Sequence, residues 1–516
     1  MPMTTGAHAL LDALHAQGVA VCFANPGTTE LDLVRAAEEG TGMRFVLGMQ
    51  ENVCTGAADG WGRMSGRPAA TLLHLGPGLA NGIANLHNAR RARTPVVNVV
   101  GDHTSWHLPY DAPLASDIDS LARPVSAWVH RIDRPADAAP AAREAVRQAV
   151  MGGGVATLIF PADHQAASTP ADAPVPTAEA GMPPPSAWDP AGVDRALRAS
   201  RRPLFLLGGV GEHGALSARG QRAVARLLSV TGGTAYAETF PARAERGGGL
   251  PAFDRLPYFP EPARAALDAA DLVVRVGALP PITYFGYQGH PSELVGADRL
   301  LCVCEPGEDA ATRLEELADR MEAPPYLEPA LSLPPVEPGA LTPPRIAATV
   351  AAALPEGAIV SVEGGTCGYP FYAASAGAAR HTTLTNTGGA IGQGLPVALG
   401  AALACPGRPV IALLSDGSTQ YTVQTLWTLA HEGLPVVALI AANHQYAILR
   451  NELRRGGELG PRAQALTSLD APRVDWVSLA RGYGVAATRA ATTAELDAQL
   501  RAALATRAPA LIEMSL

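Results

Sequence analysis

The sequence predicts an α/β protein of three domains, each a parallel sheet flanked by helices. Its 516 residues correspond to about three domains at roughly 150 residues each. Apolar runs of strand length alternate with helix-like segments along the chain, which is typical of parallel sheets. Two proline-rich stretches without hydrophobic periodicity, 166–185 and 324–344, are typical of linkers. They predict domains at 1–165, 188–322 and 341–516.

The composition limits the possible functions. The chain is 47% apolar and 17% charged, so it can bury large cores. Its net charge of −9 argues against a surface for nucleic acid or for an anionic membrane. All 39 basic residues are arginine. Because lysine is missing, the sequence excludes Schiff-base and pyridoxal chemistry and a Walker A phosphate loop.

The cysteines and the N-terminus bear on the cellular compartment. Of six cysteines, only Cys302 and Cys304 are close, and no second pair completes a zinc site. We interpret the cysteines as free thiols in a reducing compartment. The chain starts without a charged segment followed by an apolar one, and it has no apolar run of about 18 residues. We therefore expect a soluble, cytoplasmic protein.

In the first domain, polar residues follow the predicted strands at 19–23, 45–49, 70–73 and 95–100. If these strands share a sheet, the polar residues lie along one edge, where open α/β sheets bind ligands. A glutamate at a strand end often caps a helix, and a histidine there is more often structural than catalytic. The clustering of several such residues favours a site. The candidates are Glu51, His74, His103 and His107.

The middle domain contains a glycine-rich fingerprint. A predicted strand at 203–207 is followed by G-x-G-x-x-G at 209–214, and a second strand at 234–237 ends at Glu238. This arrangement is typical of a dinucleotide-binding fold and would suit a flavin (FAD) or a nicotinamide. A single fingerprint is a weak signal, since glycine-rich turns also occur in Rossmann-like domains that bind no nucleotide.

The third domain contains the strongest signal. Predicted strands at 409–414 and 435–442 end at Asp416 and Asn443, one strand–helix–strand step apart. Both side chains should therefore emerge at the same edge of one sheet. A carboxylate, an amide oxygen and nearby carbonyls suit a hard cation that takes its other ligands from phosphate and water. Polar turns at 363–366, 386–389 and 416–418 would bring backbone N–H groups to the phosphates.

These residues resemble a known family. The run Asp416-Gly417-Ser418 with Asn443 is similar to the magnesium and diphosphate motif of thiamine-diphosphate enzymes. The resemblance is closest to the group containing benzoylformate decarboxylase, pyruvate decarboxylase, pyruvate oxidase and acetolactate synthase. It covers essentially the whole chain, because Glu51 and the turns at 25–27, 76–78 and 389–396 also match. Two positions depart from the usual motif, which has glycine at Ser415 and asparagine at Ala442.

The resemblance implies a pyrimidine-binding domain, a Rossmann-like central domain and a diphosphate-binding domain, in that order. The cofactor would lie between the first domain of one subunit and the third domain of another, so a homodimer is the minimum and a homotetramer is common. Asp416, Asn443 and the Gln445 carbonyl would bind Mg²⁺. Glu51 would hydrogen-bond the pyrimidine ring. The other implied contacts with the cofactor are Gly365, Thr366, Gly389, Ile391, Gly417 and Ser418.

The resemblance leaves two reactions open. His74 matches an active-site histidine of benzoylformate decarboxylase, Thr28 takes the place of its serine, and Tyr284 falls near its other histidine. His103 and His107 are loosely similar to the paired histidines of pyruvate decarboxylases. The leading hypothesis is a 2-oxo acid decarboxylase of the benzoylformate type, and the alternative is an acetolactate synthase-like carboligase. An oxidoreductase and a non-catalytic scaffold are the remaining hypotheses.

Overall fold

Three large sheets form the frame of residues 3–40, 42–171 and 186–516, the part of the chain that the computed structural model describes. Each is built mainly from parallel strands with helices on its faces, which confirms the predicted fold class. Most of the predicted linker at 166–185 lies outside the described residues. In the described part of the chain, no helix is both long and apolar enough to span a membrane.

The first sheet lies within residues 3–171 and has the order β3-β2-β4-β5-β7-β6, with every neighbouring pair parallel. The short strands β1 and β8 pair with each other. The elements are β1 (Met3–Thr5), α1 (Gly6–Ala16), β2 (Val21–Asn25), α2 (Leu31–Glu38), β3 (Arg44–Leu47), α3 (Glu51–Ser65), β4 (Ala69–Leu73), α4 (Leu75–Ala92), β5 (Val96–Asp102), α5 (Ile118–Ala122), β6 (Trp128–Arg131), α6 (Ala138–Met151), β7 (Val155–Pro161), α7 (Ala162–Ala166) and β8 (Ser168–Pro170).

The second sheet has the order β12-β10-β9-β13-β14 and is parallel throughout. The strand β11 lies in the same stretch of sequence but pairs with the third sheet, so the chain crosses between the two sheets there. The elements are α8 (Pro190–Ala199), β9 (Pro203–Leu207), α9 (Ala218–Thr231), β10 (Thr234–Ala237), β11 (Ala244–Arg246), β12 (Asp254–Arg255), α10 (Pro260–Asp268), β13 (Leu272–Val276), β14 (Leu300–Cys304) and α11 (Ala310–Arg320). The exact domain boundaries stay a prediction.

The third sheet has the order β11-β16-β15-β17-β18-β20-β19, with only the β11–β16 pair antiparallel among the strands described. Every residue of β18 is buried, which explains its uninterrupted apolar sequence. The elements are α12 (Pro343–Ala353), β15 (Ala358–Val362), α13 (Gly365–Ala374), β16 (His381–Thr385), α14 (Gly394–Ala404), β17 (Val410–Ser415), α15 (Asp416–Thr419), α16 (Thr425–His431), β18 (Val436–Ala442), α17 (Ala447–Gly456), α18 (Pro461–Leu466), α19 (Trp476–Gly482), β19 (Ala486–Ala490), α20 (Thr493–Thr506) and β20 (Ala510–Ser515).

Helices α3 and α14 join the first and third sheets through small residues. A Cβ atom on Gly60 would lie 2.1 Å from the Val397 carbonyl oxygen, and one on Gly400 would lie 1.9 Å from the Ala57 carbonyl oxygen. The two backbones therefore approach too closely for any side chain at these positions. The small residues after Glu51 in the sequence are explained by this contact.

We expect Gly400→Ala to separate α3 from α14, because the methyl group would overlap backbone atoms that cannot move aside. The midpoint of thermal unfolding should fall, at a cost of about 1–3 kcal/mol. Gly482→Ala is the matched control, since a Cβ there meets no atom within 4 Å. Equal midpoints for the two variants would contradict the proposed packing.

Buried His381 should make stability depend on pH. Burial lowers the pKa of its imidazole from 6.5 to about 4. Between pH 6.5 and pH 4, His381 is therefore protonated in the unfolded chain and neutral in the folded chain. The free energy of unfolding falls as the pH drops through this range. The loss is about 3 kcal/mol at most. His381→Gln should flatten this part of the pH profile of the urea-unfolding midpoint, and an unchanged profile would refute the assignment.

Candidate active site

The carboxyl edge of the first sheet brings together the polar residues that follow its strands. Glu51 begins α3 after β3, and His74 lies between β4 and α4. A Cβ atom on Gly78 would lie 3.3 Å from Glu51 Oε1 and 3.3 Å from His74 Cβ. Glu51 and His74 therefore both lie beside Gly78. This is the neighbourhood expected from strands that share a sheet.

Glu51 is half-buried and lightly bonded. The Asn81 side-chain amide donates to Glu51 Oε2 at 3.1 Å. Among the described residues, Glu51 Oε1 has no hydrogen-bond partner. One carboxylate oxygen is therefore available to a group from outside this chain.

His74 rests on a buried glutamate that the sequence analysis missed. Glu30 is fully buried, and its Oε2 lies 2.8 Å from His74 Nδ1. The same carboxylate accepts the Gly27 N–H at 2.8 Å and the Thr29 hydroxyl at 2.6 Å. The sequence signal was an acidic residue in the first helical turn, which indicates a cap and gives no hint of a contact with His74.

The hydroxyl beside His74 belongs to Thr29. Its Oγ1 lies 3.3 Å from His74 Nδ1, whereas the predicted candidate Thr28 is exposed. A role for Thr28 stays a prediction.

His103 and His107 follow β5, with their ring centroids 5.4 Å apart. The backbone N–H of His103 donates to the Asp102 carboxylate, which also accepts a hydrogen bond from the Arg131 guanidinium. Within the described part of the chain, His103 Nε2 is buried without a partner. The two rings are thus neighbours, and their catalytic role stays a prediction.

Asp416 and Asn443 follow the neighbouring parallel strands β17 and β18, as their spacing predicted. The Asp416 carboxylate accepts the N–H of Gly417 at 2.8 Å and the N–H of His444 at 2.7 Å. The Asn443 amide donates to Thr366 Oγ1 at 3.0 Å, and its oxygen accepts the Gln445 N–H at 3.1 Å.

These residues fit a hard cation. Asp416 is buried, and burial raises the pKa of its carboxyl, although the backbone N–H groups oppose that rise. The nearest basic group is the His444 ring, whose Nδ1 is 3.8 Å away. No cluster of three or more His, Cys, Asp or Glu suited to a metal occurs in the described residues. A cation here would need amide, carbonyl and phosphate oxygens besides the one carboxylate, as Mg²⁺ accepts.

Ser415 has a packing role that explains one departure from the family motif. A Cβ atom on Gly364 would lie 2.0 Å from Ser415 Oγ. Gly364 has φ 104°, in the region that favours glycine. The Ser415 side chain therefore fills the space beside Gly364 and links the turn after β15 to the turn after β17.

Glu363 acts as an internal anion. Its carboxylate accepts the N–H groups of Gly392, Gln393 and Gly394 at 2.8, 3.2 and 2.8 Å. Burial raises the pKa of this carboxyl, and the three N–H groups oppose the rise. Gly394 begins α14, so Glu363 occupies the positive end of that helix. These three N–H groups of the 392–394 turn are therefore not available to a cofactor, and the predicted contacts of a phosphate with the 363–366 turn stay a prediction.

The other predicted cofactor contacts lie in these turns. Ile391 is half-buried in the turn that Glu363 holds, and Gly389, with φ 79°, precedes it. Gly365 begins α13. Ser418 donates its hydroxyl to the Ser415 carbonyl at 3.1 Å. The Gln445 carbonyl accepts the Ala447 N–H at 3.1 Å, which leaves one of its lone pairs free.

The middle sheet carries the predicted dinucleotide fingerprint. Glu238 at the end of β10 accepts the Gly209 N–H at 2.7 Å, and burial raises the pKa of Glu238 to about 7. Glu238, the acidic residue of the fingerprint, is therefore hydrogen-bonded to the glycine-rich turn of the same fingerprint. A cavity of about 610 Å³ beside this turn is lined by Gly211 and by Arg63, Arg93 and Arg243, among others. A bound flavin or nicotinamide stays a prediction.

Within one chain, the two groups of site residues belong to different sheets. In the described residues, no hydrogen bond or ion pair joins Glu51 or His74 to Asp416 or Asn443. The first group lies at the edge of the first sheet and the second at the edge of the third.

Family models identify the class of protein. The N-terminal TPP-binding domain of thiamine pyrophosphate enzymes matches residues 4–121, and the C-terminal TPP-binding domain matches residues 365–514. Thiamine pyrophosphate is another name for thiamine diphosphate. The chain belongs to the thiamine pyrophosphate enzyme family, as its sequence predicted.

Its relatives within the family carry two kinds of name. The chain is 47% identical to the putative acetolactate synthase large subunit IlvX of Mycobacterium tuberculosis, over 99% of this chain and 98% of that one. It is 31% identical to benzoylformate decarboxylase of Pseudomonas aeruginosa, over 99% of both. Its structure is similar to a 4-hydroxybenzoylformate decarboxylase of Rhodococcus jostii, with TM-score 0.84, 25% identity and 99% coverage of both chains. The chain is therefore a thiamine-diphosphate-dependent enzyme related to decarboxylases and to acetolactate synthases.

We expect Glu363→Gln to loosen the turn that contains Ile391. The new side-chain amide would place its own N–H group against the backbone N–H groups of residues 392–394. This should lower the free energy of unfolding by about 1–3 kcal/mol. The thermal midpoint should fall, and fluorescence titration should show weaker binding of thiamine diphosphate. Exposed Glu337→Gln is the control, and a Glu363→Gln variant with wild-type midpoint and affinity would contradict this role.

Proposed function

We propose that the chain is a thiamine-diphosphate- and Mg²⁺-dependent decarboxylase of 2-oxo acids, of the benzoylformate decarboxylase type. The observation that carries the proposal is the placement of Glu51 and His74 together beside Gly78. A carboxyl group and an imidazole at one sheet edge can serve cofactor and substrate together. The benzoylformate decarboxylases among the relatives and solved structures support this reaction.

The residues at the edge of the third sheet would hold the cofactor. Mg²⁺ would bind Asp416, Asn443 and the Gln445 carbonyl. Gly365, Thr366, Gly417 and Ser418 would contact the diphosphate or pyrimidine, and Gly389 and Ile391 would shape the bend between them. When bound, thiamine diphosphate supplies the electron sink that accepts the electron pair left as carbon dioxide departs.

The residues at the edge of the first sheet would handle protons. Glu51, through its free Oε1, would share a proton with the pyrimidine ring of the cofactor. His74 would take up a proton from solvent at the ring nitrogen that does not contact Glu30. It would pass that proton to the carbon that has lost carbon dioxide, so that a 2-oxo acid and a proton become an aldehyde and carbon dioxide. Tyr284 lies against the turn at Gly389, where a Cβ would be 2.5 Å from its hydroxyl oxygen. It would border the site without replacing a histidine as proton donor.

The location of the two groups on different sheets, without a hydrogen bond or ion pair between them in the described residues, suits an assembly of at least two copies. A homodimer would bring Glu51 of one subunit to Asp416 of another, and a homotetramer would be a pair of such dimers. The six free cysteines suit a reducing, cytoplasmic compartment.

The alternative is a carboligase. The relative named as a putative acetolactate synthase, at 47% identity, favours it. The run Gly76-Pro77-Gly78, at the start of α4, also resembles acetolactate synthases. The same residues would serve both reactions up to the loss of carbon dioxide. The difference is whether the carbon that has lost carbon dioxide then bonds to a proton or to the carbon of a second carbonyl group.

Product analysis decides between the two. The purified protein with thiamine diphosphate and Mg²⁺ should release carbon dioxide and a free aldehyde from at least one acid among benzoylformate, its ring-substituted analogues, pyruvate and longer aliphatic 2-oxo acids. Acetolactate-like products in place of aldehyde would support the carboligase. If none of these acids yields carbon dioxide, both hypotheses fail.

Variants should separate binding from chemistry. Glu51→Gln should slow carbon dioxide release by about 100-fold or more while the cofactor still binds. Asp416→Asn should instead weaken cofactor binding and raise the Mg²⁺ concentration needed for half-maximal activity. Exposed Glu38→Gln, on α2, is the control. A Glu51→Gln variant with full activity would indicate a non-catalytic glutamate.

A further inference from the structure

The contact between Glu30 and His74 has a consequence for the reactivity of the imidazole. We propose that Glu30 is a positioning residue that holds His74 as the Nδ1–H tautomer, with Nε2 as the nitrogen that faces the reaction. The proposal rests on the proposed function for the reaction that His74 serves. The tautomer itself can be tested without any substrate.

The hydrogen bonds around Glu30 set the direction of the bond to the ring. Both carboxylate oxygens already accept hydrogen bonds, Oε2 from the Gly27 N–H and Oε1 from the Thr29 hydroxyl. A carboxylate whose two oxygens both accept from protein donors serves the contact with the ring as an acceptor as well. The 2.8 Å contact therefore requires His74 Nδ1 to donate its proton to Glu30.

The other ring nitrogen is left for a group from outside the chain. In the part of the chain that the structure describes, His74 Nε2 has no hydrogen-bond partner. The side chain of His74 is 21% exposed, whereas that of Glu30 is fully buried. The carboxylate thus lies behind the ring and the unpaired nitrogen on the accessible side.

Two glycines from separate segments make room for the pair. A Cβ atom on Gly101 would lie 1.7 Å from Glu30 Oε1, and one on Gly27 would lie 2.3 Å from His74 Nδ1. Any side chain at either position would displace the carboxylate or the ring. The gap at Gly101 accommodates the carboxylate and the gap at Gly27 accommodates the ring, and a glutamate that served only to cap the turn after β2 would not require the gap at Gly27.

Nitrogen NMR tests the tautomer directly. The holoenzyme is labelled with ¹⁵N in its histidine rings, and magic-angle-spinning spectra of wild type and His74→Gln are subtracted to isolate the His74 signals. We expect the Nδ1–H pattern in wild type. Glu30→Gln can donate its amide N–H to Nδ1 and should reverse the pattern to Nε2–H, whereas Thr29→Val should keep the wild-type pattern. An Nε2–H ring in wild type overturns the proposal even if Glu30→Gln does not fold.

Kinetics tests the positioning role. Glu30→Gln should lower kcat for carbon dioxide release about 100-fold. It should cause no further loss when His74 is already glutamine, since it acts through the ring. Equal losses in both backgrounds would assign Glu30 a purely structural role and overturn the positioning role. If no 2-oxo acid reacts, the proposed function fails while the spectra still decide the tautomer.

Discussion

The buried ion pair between Asp59 and Arg63 is the interaction on which the arrangement of the three sheets depends. Both residues lie on α3, with Arg63 Nε 2.8 Å from Asp59 Oδ1 and its Nη2 2.6 Å from Oδ2. A buried pair is costly unless its remaining polar atoms are also bonded. Here Thr94 and Gln393 donate to Asp59, while Arg63 donates to the carbonyls of Ala242 and Thr385. The pair therefore touches all three regions of the chain, and removing either charge would leave the other buried and unpaired.

The same network reaches the candidate site from both ends. Gln393, which donates to Asp59, lies between the two glycines whose N–H groups bind Glu363. This turn carries Ile391 and leads into α14, which packs against α3. Helix α3 begins at Glu51. Continuous contacts thus connect the turn that is proposed to bend the cofactor with Glu51, which is proposed to share a proton with the cofactor. The turn and Glu51 both depend on the buried Asp59–Arg63 pair.

The sequence predicted those site residues whose position follows from local rules. Asp416 and Asn443 end neighbouring parallel strands, and Glu51 and His74 follow two strands of another sheet, so the shared edge brings each pair together. Glu30, Glu363 and Asp59 were missed because their roles depend on partners far away in the sequence: His74 for Glu30, the 392–394 turn for Glu363, and Gln393 for Asp59. No periodicity or motif encodes such contacts. The packing of Ser415 against Gly364 was likewise invisible without the fold.

Carboxylates with a structural role differ from candidate reactive carboxylates in the number of hydrogen bonds that they accept from the protein. Glu30, Asp59 and Glu363 are buried, and each accepts at least three hydrogen bonds from the protein. Glu51 has a single protein donor, and Asp416 has two backbone N–H groups but no close arginine among the described residues. Half-buried Glu51 therefore keeps an oxygen that a ligand can reach, and buried Asp416 keeps lone pairs that a cation could take. The incomplete bonding of Glu51 and Asp416 is therefore the physical reason to place the two ends of the cofactor there, and the complete bonding of Glu30 is the reason to assign it to His74 instead.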